Sequence, residues 1–302
     1  MREPIHNARC RARHLGAWAI QPAYLSGALA SIKAGTWQPR AESEGYEPDQ
    51  GPPKPAYRVT PEGIAVVDIR GGMMKGWSKY AECDTLGVRA AVRAASADAR
   101  ARGILLVVDS PGGGVPGTQE LADDVMAARQ AKPVHAFIDD MGASAAYWVA
   151  SQTERLSVNA LGEVGSIGVY AVLVDESEAA EMAGVKVHVV STGAHKGAGV
   201  AGTPITEAIL SDTQRIVDQV NEAFHAAITR GRPGLAGDAL AKVATGQVWM
   251  GPEAMSLGLV DAVESMEQAY AALVAEADRR DAAARTNEAR RLAIGTLGKP
   301  RR

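Results

Sequence analysis

Short apolar runs alternate along this chain with stretches whose apolar residues recur every three or four positions. The runs Ile64 to Ile69, Ile104 to Val108, Val134 to Ile138, Leu156 to Val158 and Val185 to Val190 are compact and largely uninterrupted, as strands covered on both faces should be. Helical patterns lie between them, at about 84–102, 118–131, 143–152 and 175–184. This order predicts βαβ units and a largely parallel sheet. A long helix is expected at about 205–230, where Ile209, Ile216, Val217, Val220, Phe224 and Ile228 form one apolar stripe. Gly231-Arg232-Pro233-Gly234 stops it. Two short helices, near 238–244 and 252–257, lead to Leu259-Val260-Asp261, and an Ala- and Arg-rich helix follows from about 265 to 293.

The same pattern divides the chain into four parts. Residues 1–37 form an arm in which Trp18, Ile20, Tyr24, Leu25, Leu29 and Ile32 recur at near-helical spacing, so an amphipathic arm packed on its own domain or a neighbour is expected. Residues 38–56 are rich in Pro, Gly and acidic residues and predict a linker, 57–264 the main domain, and 265–302 a C-terminal helix with a basic tail. That tail sets Arg290, Arg291, Lys299, Arg301 and Arg302 against Glu288, which reads as a solvated, frayed end, with a tether as the alternative. Arg9, Arg11 and Arg13 precede an apolar stretch, and Ala28-Leu29-Ala30 resembles a signal-peptidase site. Gln21-Pro22 interrupts that stretch after about six residues, short of the roughly 7–15 of a signal peptide, so export is not expected. No run approaches the ~20 apolar residues of a spanning helix, so membrane insertion is not expected either.

Composition narrows the choice of function. With 302 residues, 46% hydrophobic and 22% charged, the chain has the makings of one large folded domain plus appendages. A formal charge of -3 provides no general basic field, which argues against nucleic acid as the main partner. The two cysteines, Cys10 and Cys83, make neither a metal-ligand spacing nor a disulfide framework. No metal and no cofactor is called for.

Three separated segments point to one chemistry. Ser144, in Met141-Gly142-Ala143-Ser144-Ala145-Ala146-Tyr147-Trp148, sits where a strand and turn give way to a helix, so the helix N-terminus sets positive potential and free N–H groups beside its hydroxyl. A capping serine would do the same, but the small neighbours also leave room for a substrate backbone. Lys196, in a Gly- and Ala-containing loop after an expected strand, is a candidate base if burial and a hydrogen bond hold its amine neutral. Ser166, in Gly165-Ser166-Ile167-Gly168, could orient that amine, although Ser and Gly are equally routine in a tight turn. Upstream, Asp109-Ser110-Pro111-Gly112-Gly113-Gly114 is a glycine turn able to aim N–H groups at a developing oxyanion. The histidines offer no better base: His135 and His188 fall in expected strands, and His195 reads as a spacer or surface residue.

These segments resemble the signal peptide peptidase A family of serine peptidases, whose fold is shared with the Clp protease subunit and the crotonase enzymes. The resemblance covers about Gly63 to Asp261 and includes Gly193-Ala-His-Lys and Gly258-Leu-Val-Asp in the family's order. It implies an α/β fold of repeated βαβ units in a crotonase-like superhelix, with the arm and C-terminal helix appended. It also implies Ser144 as nucleophile, Lys196 as base, Ser166 as the partner of Lys196, and the N–H groups of Gly113 and Ala145 as the oxyanion hole. Gly112, Gly114 and Gly165 are further candidates for contact with substrate. With an amphipathic arm rather than a membrane anchor expected at the N-terminus, the arrangement is most similar to the head maturation proteases of tailed phages, which cut scaffold, capsid or portal proteins. The resemblance thus implies protein substrates, a homo-oligomer, and a place in the host cytoplasm or the prohead. About forty residues follow Asp261, too few for a fused scaffold, so a scaffold on a separate chain is expected. A soluble cellular peptidase, a non-catalytic scaffold-binding protein and a crotonase-type hydratase are the alternatives.

Overall fold

The computed structural model describes residues 17–34, 56–76, 82–193 and 195–297. In chain order the elements are β1 (Trp18–Ile20), α1 (Pro22–Ala34), β2 (Arg58–Val59), β3 (Ile64–Arg70), β4 (Met73–Met74), β5 (Cys83–Asp84), α2 (Thr85–Ala97), β6 (Gly103–Ser110) and β7 (Gly112–Gly114). Then come α3 (Thr118–Ala128), β8 (Val134–Ala143), α4 (Ala145–Ala150), β9 (Arg155–Val158), β10 (Glu163–Gly165) and α5 (Ser177–Met182). The chain continues through α6 (Glu207–Gly231), α7 (Asp238–Val243), β11 (Val248–Met250), α8 (Gly251–Ser256), β12 (Ala262–Val263) and α9 (Met266–Leu297).

The larger sheet runs β11-β10-β8-β6-β3-β2, with β10, β8, β6 and β3 parallel and the two outer strands antiparallel. Its central strands are apolar on both faces because each face has its own cover. Ala65, Val67, Ile69, Ile104, Leu106 and Val108 point into the main core, which includes Val88, Ala91, Val92 and Ala95 of α2 and Leu121, Ala122 and Val125 of α3. The intervening residues Ile64, Val66, Leu105 and Val107 meet Ala269 and Leu273 of α9 on the other face. A period of two thus splits one continuous apolar run between two cores. The α/β class with parallel strands expected from the sequence is the observed one.

Strand β8 is the element that positions the site. Its first half pairs in parallel with β9, from His135↔Arg155 to Ile138↔Val158, while its last residues pair with β10, Met141↔Glu163 to Ala143↔Gly165. Register against β6 shifts between Val108↔Ile138 and Ser110↔Gly142, leaving extra residues in β8 around Asp139 to Met141. Such a bulge bends a strand and increases its twist, which lets β8 change partners before it reaches Ser144.

The structure departs from the sequence reading in four places. Gly112–Gly114, expected as a turn, is strand β7, paired with β1 and β4. Val185 to Val190 is not a strand, and Val185, Val189 and Val190 are exposed. Beyond β10 the sheet edge is already taken by β11, in antiparallel register from Glu163↔Met250 to Gly165↔Val248, so the run finds no open edge there. The arm is not helical throughout: Trp18–Ile20 is a strand, and the helix starts at Pro22, whose fixed φ suits a first helical turn. The stripe of α6 is covered only toward its C-terminal end, at Phe224, Ala227 and Ile228, while Leu210 and Ile216 stay exposed. The expected linker, save its last residue, and the end of the basic tail lie outside the described residues.

Candidate active site

Two side chains stand out by backbone conformation. Among the described residues, Ser144 (φ 54°) and Ser166 (φ 49°) are the non-glycine residues with positive φ. Such a conformation costs a residue with a Cβ about 1 kcal/mol or more and persists only where its surroundings enforce it. Here the enforcement is visible. The Ser144 N–H donates to the Gly165 carbonyl at 2.7 Å, the Ser144 carbonyl accepts from Trp148 N–H at 2.9 Å, and Ser166 N–H donates to the Gln247 carbonyl at 2.6 Å. Because Ala143 and Gly165 are register partners in adjacent parallel strands, the two serines leave the sheet side by side at its C-terminal end.

Helix α4 begins at Ala145 and is wholly buried. It is held from several sides. Trp148 stacks on Phe224 of α6 with ring centroids 4.5 Å apart and planes 8° from parallel. Tyr147 O–H donates to the Leu259 carbonyl at 2.9 Å, and burial pushes that phenol well above its usual range. Leu259 belongs to the Gly258-Leu-Val-Asp segment, whose Asp261 carboxylate accepts from Leu156 N–H at 2.7 Å and from the buried Arg232 guanidinium at 2.6 Å. That segment therefore supports the site as a brace.

The Ser144 side chain is 1% exposed, and its Oγ has no hydrogen-bond partner among the described residues. A buried hydroxyl left unpaired costs roughly 1–3 kcal/mol, which is more easily understood in a reacting group than in a cap. Beside it lies β7. A methyl built on Gly112 would sit 2.8 Å from the Ala145 nitrogen and 2.9 Å from the Ala143 oxygen, so glycine is required for this close approach. Gly113 is equally constrained, since a methyl there would lie 1.9 Å from the Met73 carbonyl oxygen. Gly114 pairs with Trp18 of β1. Gly165 spends its carbonyl on Ser144 and so serves to fix the elbow.

Lys196 makes no hydrogen bond to the Ser144 hydroxyl. It lies exposed between β10 and α6, in the excursion that carries α5, and its backbone N–H donates to the Gly193 carbonyl at 3.0 Å. Val174, Val185, Val189, Val190 and Val200 are exposed in the same excursion. Among the described residues the histidines supply no substitute base. His188 and His195 are exposed, His225 is on α6, and His135 sits at the start of β8, at the opposite end of the strand from Ser144. Burial, with the nearby Arg155 charge, pushes the His135 imidazole down to about 4 from 6.5. Its neutral form is the folded one, so its contribution to stability is complete above pH 6.5 and is lost as pH falls toward 4. Urea unfolding across that window should show a loss of roughly 3 kcal/mol that His135→Phe flattens. An unchanged slope in the variant would assign the acid sensitivity elsewhere.

With this geometry in place, comparison with known proteins decides the family. The profile of peptidase family S49 matches residues 126–280, a span that contains Ser144, Ser166 and Lys196. The chain belongs to peptidase family S49. Its relatives include the head-tail preconnector protein GP5 of Enterobacteria phage P21, 33% identical over 227 residues, covering 73% of this chain and 44% of that protein. The capsid assembly protease C of Escherichia phage lambda is 29% identical over 217 residues, covering 70% of this chain and 49% of that one. Protease 4 of Haemophilus influenzae is 27% identical over 214 residues, covering 70% and 34%. The chain thus spans about half the length, or less, of these relatives. The S49 match starts after Gly112–Gly114, so the glycine turn and the arm lie outside it.

Proposed function

We propose that this chain is a serine endopeptidase that cuts capsid, scaffold or portal proteins during assembly of a phage head. The observation that carries the reading is Ser144 itself: a strained, buried, unpartnered hydroxyl where a strand meets a helix, beside a glycine strand that closely approaches its neighbour Ala145. Membership of S49 and the two phage relatives support protein substrates and a phage setting.

In the proposed reaction the Ser144 oxygen attacks the scissile carbonyl carbon while the Lys196 amine takes its proton. N–H groups of Gly113 and Ala145 face the developing oxyanion. The C–N bond then breaks, the leaving amine receives the proton, and water cleaves the Ser144 ester. Ser166, which leaves the sheet beside Ser144, would orient the amine. Lys196 would arrive when the excursion carrying it packs against a neighbouring copy. Its exposed valines supply apolar surface that a single chain leaves in water, as an assembly interface would. Co-expression with capsid, scaffold and portal proteins of a tailed phage, followed by mass spectrometry, tests this reading. Cleavage by wild type and none by Ser144→Ala is expected; intact prohead proteins in both would overturn it.

A further inference from the structure

Strand β1 occupies a specific slot. Trp18 exchanges two hydrogen bonds with Tyr170, its N–H to the Tyr170 carbonyl at 2.8 Å and its carbonyl from Tyr170 N–H at 3.0 Å. On its other edge β1 runs antiparallel to β7, with Trp18↔Gly114, Ala19↔Gly113 and Ile20↔Gly112. Since the backbone groups of Trp18 face Tyr170, those of Ala19 face β7, and Gln21 N–H continues the ladder to the Pro111 carbonyl at 2.8 Å. Alternation along an antiparallel pair makes Ala19 and Gly113 the next hydrogen-bonded pair, so Gly113 N–H donates to the Ala19 carbonyl.

That carbonyl points at the proposed oxyanion hole. A methyl built on Gly112 would lie 2.3 Å from the Ala19 oxygen and 2.8 Å from the Ala145 nitrogen. The two atoms therefore share one side of Gly112, no farther apart than those two distances added together. Gly113 N–H is bonded to this oxygen, and Ala145 N–H lies close by. An extended chain passing between β7 and Tyr170 thus presents one carbonyl, that of Ala19, next to Ser144.

We propose that Trp18–Ile20 lies in this chain's own substrate groove as a substrate-like inhibitor, with the Ala19–Ile20 peptide bond at the scissile position. The inference rests on the peptidase reading of Ser144. An occupant here would resist cleavage because its leaving side is anchored. Ile20 is buried, Gln21 is bonded to Pro111, Leu25 of α1 is buried beside Trp18 and Ile20, and Tyr24 O–H donates to Glu82, whose carboxylate also accepts from Gly72 N–H at 2.7 Å. If Ser144 were acylated, the Ile20 amine would stay in place and re-form the bond. The placement also describes the substrate: an extended strand with a small residue before the cut, since Ala19 is fully buried.

Binding separates this proposal from the reading it rests on. A fluorescent peptide copying Leu15 to Tyr24 is titrated into full-length Ser144→Ala and into the same protein carrying Ala19→Glu, which cannot fit the buried site, or Trp18→Pro, which removes the N–H bonded to Tyr170. The groove opens in both double variants, so the peptide should bind at least about ten-fold tighter than to Ser144→Ala alone. Thermal unfolding verifies that each variant is folded, and the second stands in if the first is not. Equal binding to all folded proteins, or binding to none, overturns the proposal. Tight binding to the opened variants with no Ser144-dependent hydrolysis by the chain with Ser144 intact would keep Trp18–Ile20 as the occupant of a peptide slot but overturn its role as a substrate-like inhibitor together with the peptidase reading.

Discussion

Ser144→Ala is expected to leave a folded chain whose turnover of a peptide substrate falls by about 10³-fold or more. The hydroxyl has no hydrogen-bond partner among the described residues, so its removal orphans none of them and opens a space smaller than a methyl group. Stability should therefore stay level or rise slightly. Ser144→Gly gives the companion measurement. Alanine must still hold a φ of 54°, whereas glycine adopts it freely, so Ser144→Gly should be the more stable variant by about 1 kcal/mol while remaining equally inactive. A serine-directed acylating probe should label wild type and neither variant. Full turnover by Ser144→Ala would remove the nucleophile assignment, and equal stability of the two variants would show that the elbow is unstrained.

The sheet and the elbow were legible in the sequence for different reasons. Strands β3 and β6 announce themselves because both faces are buried, which forces runs such as Ile104 to Val108. The turn from strand to helix at Ser144 was legible because small residues surround it, and Gly142, Ala143, Ala145 and Ala146 are buried. What escaped depends on distant partners. Gly112–Gly114 reads as a turn, since glycine has little strand propensity, yet it pairs with β1 and β4 because only glycine tolerates the approach of Met73 and Ala19. Trp18–Ile20 joins smoothly onto the helical spacing of α1, and only pairing with residues about a hundred positions away makes it a strand. Val185 to Val190 has strand composition without an open edge beside β10, and composition alone cannot supply a partner. The placement of Lys196 follows from that same excursion.

Lys196→Arg carries the second large effect. It keeps the positive charge and much of the length but replaces an amine able to give up its proton with a guanidinium that is effectively always charged. If Lys196 receives the Ser144 proton, turnover should collapse by about 10³-fold. A lysine that merely steadies a loop would let arginine retain much of the rate. The exposed position of Lys196 makes a sharper experiment available. Ser144→Ala retains an intact lysine, and Lys196→Arg retains an intact serine. If the base comes from a neighbouring copy, an equal mixture of the two inactive proteins, dissociated and reassembled, pairs an intact serine with an intact lysine at about a quarter of the sites and should recover about a quarter of wild-type activity. A base supplied within the same chain would recover nothing, because every copy then lacks one member of the pair. Recovery would place the reactive pair at the contact between copies, so that the enzyme gains its base only on assembly; a silent mixture would require the excursion to fold back onto its own Ser144.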